Sequence, residues 1–258
     1  MIVRELEDHF IMIEQDDHAH VSGEIISNWQ DRFFKKKEHQ QSVIDAIYMH
    51  DFGWKAFDKQ PFWNDEKCAP YTFIDFPTPA KTVLYTHGID AVEQQDPYAA
   101  LLCSEHYTRF LLQDDSNEAK AFIKQEHARQ QQIITALPQF DQQLFNYHYG
   151  LLQLCDNLSL YLCLNEPNAK KDKTHPFFRN GIPVSLALNM FPRKSIQLDW
   201  KDENTITIHH FPFNIDLTVK LTQKRLEKET ILKQGLAKTY KSTTSQDIEI
   251  QLTAKKSP

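Results

Sequence analysis

Apolar residues in this chain change their spacing near EPNAKKDKTHP (166–176), and that change sets what the chain can fold into. Before it, they recur every three or four residues: Val21, Ile25, Trp29 and Phe33 form one stripe, and Val43, Ile44 and Ile47 another. That period belongs to helices with one buried face. The segment LFNYHYGLLQLCDNLSLYLCL (144–164) is apolar on nearly every side, which reads as a central buried helix. After the change, SIQLDW, TITIHHF, IDLTVKL and DIEIQL alternate with period 2, broken by DEN (202–204) and PFN (212–214), and so read as strands. Residues 1–14 alternate as well, around Glu7 and Asp8, and predict a short β-hairpin. The expected architecture is mainly α-helical over 1–170, with the hairpin at its start. A β-rich α+β portion over 171–258 then packs on the first, with one helix near 229–240.

Local signals place the helix ends. Asp16 and Asp17 suit the N-terminus of a first helix, and a second spans roughly 40–51. Asp96-Pro97 opens a third over 97–113, and Ser116 opens a fourth that stops before Pro138. Residues 60–81, QPFWNDEKCAPYTFIDFPTPAK, are rich in proline and aromatics and carry no period. Long loops of this kind are often functional. Phe62, Trp63, Tyr71 and Phe73 are placed to stack on a base or cover a pocket; the plainer alternative is that the loop shields a helix face.

Several function classes are disfavoured. A net charge of −6 provides no footprint for nucleic acid. No apolar run approaches the length of a membrane span or a signal peptide, so a cytoplasmic chain without a membrane partner is expected. Cys68, Cys103, Cys155 and Cys163 include no CxxC pair and read as free thiols in a reducing compartment. With only 6 glycines, and neither GxGxxG nor GxxxxGK[ST], a glycine-rich nucleotide loop is not expected.

Polar residues on apolar stripes carry the remaining information, because their burial has to be compensated. His18 lies in line with Val21, Ile25 and Trp29, whereas His20 falls on the wet face. In YMHDFGW, His50 and Asp51 flank the inward side of the second helix, which Gly53 is expected to help terminate. His106 joins the stripe of Leu102, Cys103 and Phe110, and Asp156 shares a face with Tyr149, Leu152, Ser159 and Leu160. Taken singly, each is a hydrogen-bonded core residue at least as readily as a ligand. As a set, they converge from separate helices, and an ionised Asp156 among leucines needs a counter-charge. A divalent cation supplies one, and imidazole and carboxylate ligands suit Mn, Fe, Ni, Co or Zn.

A histidine on a first helix, a His-Asp doublet ending a second and an aspartate on a late buried helix resemble the signature of the HD-domain superfamily over residues 16–165. The residues are those of QDDHAHVSGEI, AIYMHDFGW and LLQLCDNLSLYL. The resemblance implies an HD-like helical core, with His18, His50, Asp51 and Asp156 holding a metal. It further implies hydrolysis of a nucleotide or other phosphoester through a metal-activated water, with Asp51 as the catalytic residue that ligates the ion and orients or deprotonates the water. Some members bind two metals through further histidines in the interval that here holds His87 and His106. Lys55 and Arg109 are candidates for phosphate contacts, against the plainer reading of surface cations. Two departures stand out: Trp54 replaces the lysine many members carry there, and the 60–81 loop is long. Alternatives are a dinuclear iron oxygenase of a small organic substrate and a non-catalytic binding or regulatory protein. The expected partner is a small phosphorylated molecule, and a homodimer is compatible with the sequence.

Overall fold

The computed structural model describes residues 1–35, 37–191 and 194–255. Positions 192, 193 and 256–258, which fall within the expected β-rich portion, lie outside the described residues. The molecule is mixed α+β. Its helical part comprises α1 (Gln15–Ser27), α2 (Gln40–Met49), α3 (Lys55–Asp58), α4 (Thr78–Glu93), α5 (Pro97–Leu111), α6 (Asn117–Ala136) and α7 (Gln142–Leu164). No helix among the described residues is long and apolar enough to cross a membrane.

Helix ends follow the local chemistry. The Asp96 carboxylate accepts from the Tyr98 and Ala99 amides and Pro97 occupies the first turn, so α5 starts where its capping signal falls. Ser116 caps α6 through the Ala119 amide, and Asp141 caps α7 through those of Gln143 and Leu144. The 23 residues of α7 span roughly 34 Å. It is buried on most of its circumference, and α1, α2 and α5 pack around it. One correction concerns α4, a 16-residue helix where neither the 60–81 loop nor the weakly patterned segment beyond it predicts one. Its buried positions Leu84, Tyr85, Gly88, Ile89 and Val92 include a glycine, and Thr82 and Thr86 dilute its apolar stripe.

The main sheet contains β1 (Ile2–Glu5), β2 (His9–Ile13), β7 (Leu198–Trp200), β8 (Thr205–Ile208), β9 (Leu217–Glu227) and β10 (Gln246–Ala254), in the order β1-β2-β9-β10-β8-β7. Among the described residues, only the β10–β8 pair of this sheet is parallel. Short pairs β3 (Trp63–Asn64) with β4 (Ala69–Pro70), and β5 (Ile182–Pro183) with β6 (Ser195–Ile196), stand apart. The N-terminal hairpin forms as expected, but it joins the C-terminal strands: Phe10 pairs with Leu226 and Ile11 with Arg225. Strands from both sides of residue 170 therefore build one sheet. The 229–240 helix is split into α8 (Lys228–Gln234) and α9 (Leu236–Ser242) at Gly235, whose φ of 83° suits glycine.

All five residues of β2 are buried, because both its faces are covered. Ile11 and Ile13 enter the main core with Ile25, Ile47, Leu152 and Val219. Phe10 and Met12 enter a smaller cluster with Leu226, Ile231, Leu236 and Tyr240, beneath α8 and α9. Helix α1 packs on β9, α2 and α7 at once and thus carries its inward side chains to the junction of sheet and bundle.

Candidate metal centre

Four helical elements bring His18, His50, Asp51, His106 and Asp156 to one place. His18 is on α1, His106 on α5 and Asp156 on α7; His50 is the last helical residue after α2 and Asp51 follows it. The ligand atoms of His18, His50 and Asp51 lie within 4.8 Å of one another, as do those of His50, His106 and Asp156. The cluster is nearly sealed: His18 and His50 are 0 % exposed, His106 2 %, Asp51 5 % and Asp156 6 %.

Hydrogen bonds around the cluster decide which nitrogen faces inward. His50 Nδ1 lies 2.7 Å from the Ile47 carbonyl, which can only accept, so Nδ1 carries the proton. Ser159 Oγ donates to the His18 carbonyl at 2.8 Å, leaving its oxygen to accept from His18 Nδ1–H at 2.7 Å. Each neutral imidazole then presents a bare Nε2. These two nitrogens are 3.3 Å apart, and His18 Nε2 is 3.0 Å and His50 Nε2 3.5 Å from Asp156 Oδ1. Three lone-pair atoms in contact repel unless a cation lies among them. Asp51 Oδ2 is 3.9 Å from His18 Nε2 and 3.8 Å from His50 Nε2, and His106 Nε2 is 3.8 Å from Asp156 Oδ2. An ion with nitrogen and oxygen ligands at about 2.0–2.2 Å keeps neighbouring ligands roughly 3–4 Å apart. The donor set fits a divalent cation.

The electrostatics agree with a positive charge at this point. Burial opposes protonation of His50, yet Asp51 and Asp156 raise its pKa to about 9. Burial works to raise Asp156, but any positive charge shared by the His18, His50 and His106 rings facing it outweighs burial and holds this carboxyl well below the usual range. Burial raises Asp51, against the pull of His50 and His18. Burial also pushes His106 down to about 3, so it stays neutral, and its Nδ1 is buried without a hydrogen-bond partner among the described residues. Among the described residues the Asp51 and Asp156 carboxylates form ion pairs with histidines alone, so a proton on the imidazoles balances them until a metal ion displaces it on binding.

Supporting residues surround the carboxylates. Gln15 Nε2 donates to Asp51 Oδ2 at 2.8 Å, and Tyr107 Oη approaches Asp51 Oδ1 at 3.3 Å. Sequence reasoning assigned neither a role. Ser159 does carry a signal, as the polar residue one helical turn beyond Asp156 on the same face. Such outer partners fix imidazole tautomers and ligand basicity.

Three expected site residues lie elsewhere. His87 is exposed on α4, flanked by the buried face of Leu84, Gly88 and Ile89, with its ring centroid 6.2 Å from that of Phe52. Lys55 is half-exposed and ends on Asp16 Oδ2 at 2.9 Å. Arg109 pairs with Glu105 at 2.6 Å and lies over the Tyr149 ring, so its charge is spent outside the cluster. Long side chains on a turn next to a ligand reach solvent more cheaply than a closed site.

Trp54, in the lysine's place, is a core residue packed edge-on against Phe76 at 5.5 Å and Tyr85 at 6.2 Å. Phe62 stacks on Phe57, and Tyr71 meets Phe76, so the 60–81 loop covers the turn after the doublet. Asp8, His9 and Glu227 form another grouping of ligand type, but Arg225 already pairs with both of its carboxylates. A family model described as "Protein of unknown function (DUF3891)" matches residues 1–228. No curated protein and no solved structure matches the chain.

Proposed function

We propose that this chain, which belongs to the DUF3891 family of proteins of unknown function, is a metal-dependent hydrolase with an HD-like helical core, acting on a small phosphorylated substrate. One observation carries the reading: His18 and His50, each locked through Nδ1, turn bare Nε2 atoms toward each other and toward Asp156. His18, His50, Asp51 and Asp156 would hold the ion, and His106, whose Nε2 lies 3.8 Å from Asp156 Oδ2, would offer a further nitrogen. When bound, the ion supplies Lewis acidity toward water and a phosphoryl oxygen. Asp51 is the residue to take up the proton of the attacking water at a carboxylate oxygen. Its burial lifts its pKa toward the range where a carboxylate serves as a base, and Gln15 and Tyr107 hold its orientation. The near-complete enclosure supports a small substrate over a polymer.

Elemental analysis of the purified protein, of His50→Ala and of Asp51→Ala, with an array of phosphoesters, tests this. The wild type is expected to retain a divalent transition metal, and both variants to lose it along with activity, by about a hundredfold or more. Equal metal content in all three would overturn the site. Metal lost in the variants, with no phosphoester hydrolysed by the wild type, would leave the site standing and overturn the reaction in favour of O₂ chemistry at iron or a non-catalytic role.

A further inference from the structure

Arg4 is a buried cation that the metal cluster does not use. It projects from β1 with 9 % exposure, donating to Gln223 Oε1 at 2.7 Å and to the main-chain carbonyl of Asn165 at the end of α7. Both partners are neutral, and no carboxylate among the described residues lies within ion-pair distance of the guanidinium. Its Nε has no hydrogen-bond partner among the described residues. Burial accordingly pulls its pKa down, with only partial relief from Glu166 and Cys163. Buried guanidinium groups are ordinarily paired with an anion.

The missing anion has room. Arg4 lines a cleft of about 620 Å³ between β1, the 72–74 segment and residues 164–175. Lys170 and Lys173 stand exposed on its rim without an ion-pair partner among the described residues, and His175 stands beside them. Of the carboxylates there, Glu5 is taken by Lys228 at 2.8 Å, which leaves Glu166 against three cations. Lys171 and Arg179 line an adjoining cleft of about 280 Å³ across the same 168–170 segment, whose carboxylate Asp199 is taken by Lys255 at 2.7 Å. Two neutral acceptors leave a guanidinium with N–H donors to spare for phosphate or carboxylate oxygens, and two flexible ammonium groups add charge without fixed geometry.

We propose that this cleft binds the phosphate or carboxylate group of a small molecule, at a site separate from the metal cluster. Asn165 lies nine residues beyond Asp156 on the line of α7, roughly 13 Å along the axis. The site stands independently of the hydrolase reading.

The test is titration of the full chain with inorganic phosphate and, in parallel, with acetate, at an ionic strength held constant with chloride. The readout is the Nε–H resonance of Arg4, with the Lys170→Ala/Lys173→Ala chain beside wild type. A saturable shift is expected with at least one of the two anions, and the double substitution should weaken that Kd about tenfold or more while leaving the unliganded Tm unchanged. Saturation by phosphate alone assigns a phosphate group, and by acetate alone a carboxylate. No shift, a shift that grows linearly without saturating, or the same Kd in the double variant would overturn the proposal.

Discussion

His148 lies fully buried on α7, and its two ring nitrogens have different tasks. Nε2–H donates to the Lys35 carbonyl at 3.1 Å, while Nδ1 accepts from Tyr98 Oη at 2.8 Å. Burial lowers its pKa to about 4, against an ordinary value of 6.5. Between those two pH values the unfolded chain binds more protons than the folded one, so stability rises with pH across that window. The contribution is complete above pH 6.5 and lost as pH falls toward 4, amounting to about 3 kcal/mol at most. Urea unfolding at pH 7.5 and 4.5 should show a smaller difference for His148→Gln than for wild type; equal differences would refute the assignment. The same signature, a histidine on an apolar helix, marks His18 and His106, which is why neither was decisive alone. What separates ligand from core histidine is the partner of the second nitrogen, and Tyr98, 50 residues from His148, is not readable from spacing. His87 shows the opposite error: lying between the doublet and Asp156 in sequence says nothing about facing them.

At the level of elements, the glycine after the His-Asp doublet has a different task from the one its position suggests. Gly53 lies in the short 3-10 turn Phe52–Trp54 with no positive φ, so it is not a left-handed helix terminator. A Cβ there would lie 2.1 Å from the Leu84 carbonyl oxygen, and one on Gly88 would lie 2.9 Å from the Gly53 nitrogen. The turn and α4 thus meet backbone to backbone, with a glycine on each side. Gly53→Ala must push them apart, at a cost of roughly 2–3 kcal/mol or a Tm loss of about 5–10 °C. Because Asp51 immediately precedes this turn, metal content should fall in the same variant. A melting temperature within about one degree of wild type would show that the packing yields freely. The motif was legible and its mechanical reason was not, because the partner lies in a helix whose own pattern is diluted by Gly88, Thr82 and Thr86. Helices with sustained stripes and explicit caps, α5 and α6 above all, were legible nearly to the residue.

For the whole molecule, the change of period near 166–176 divides the chain by composition without dividing its core. Strand β2 borders the helical core through Ile11 and Ile13, and it borders α8 and α9 through Phe10 and Met12. Its hydrogen-bonding partner on one side is β9, more than 200 residues later. Alternation in residues 1–14 reveals a hairpin, but only the burial of both faces shows that β2 is an interior strand. A period-2 pattern with few polar interruptions is a faint signal of that state. The consequence is thermodynamic. Residues 1–170 alone would keep α1–α7, the whole candidate metal site and the hairpin, yet expose one edge of β2 and the face carrying Phe10 and Met12. Bare apolar edges of this kind favour pairing with other chains over folding. The expected outcome is that the 1–170 fragment shows no cooperative thermal transition by circular dichroism and associates, whereas the full chain melts in one step that metal shifts upward. A fragment that is monomeric, melts cooperatively and takes up metal with the affinity of the full chain would show that the helical part folds alone and that the sheet only covers it.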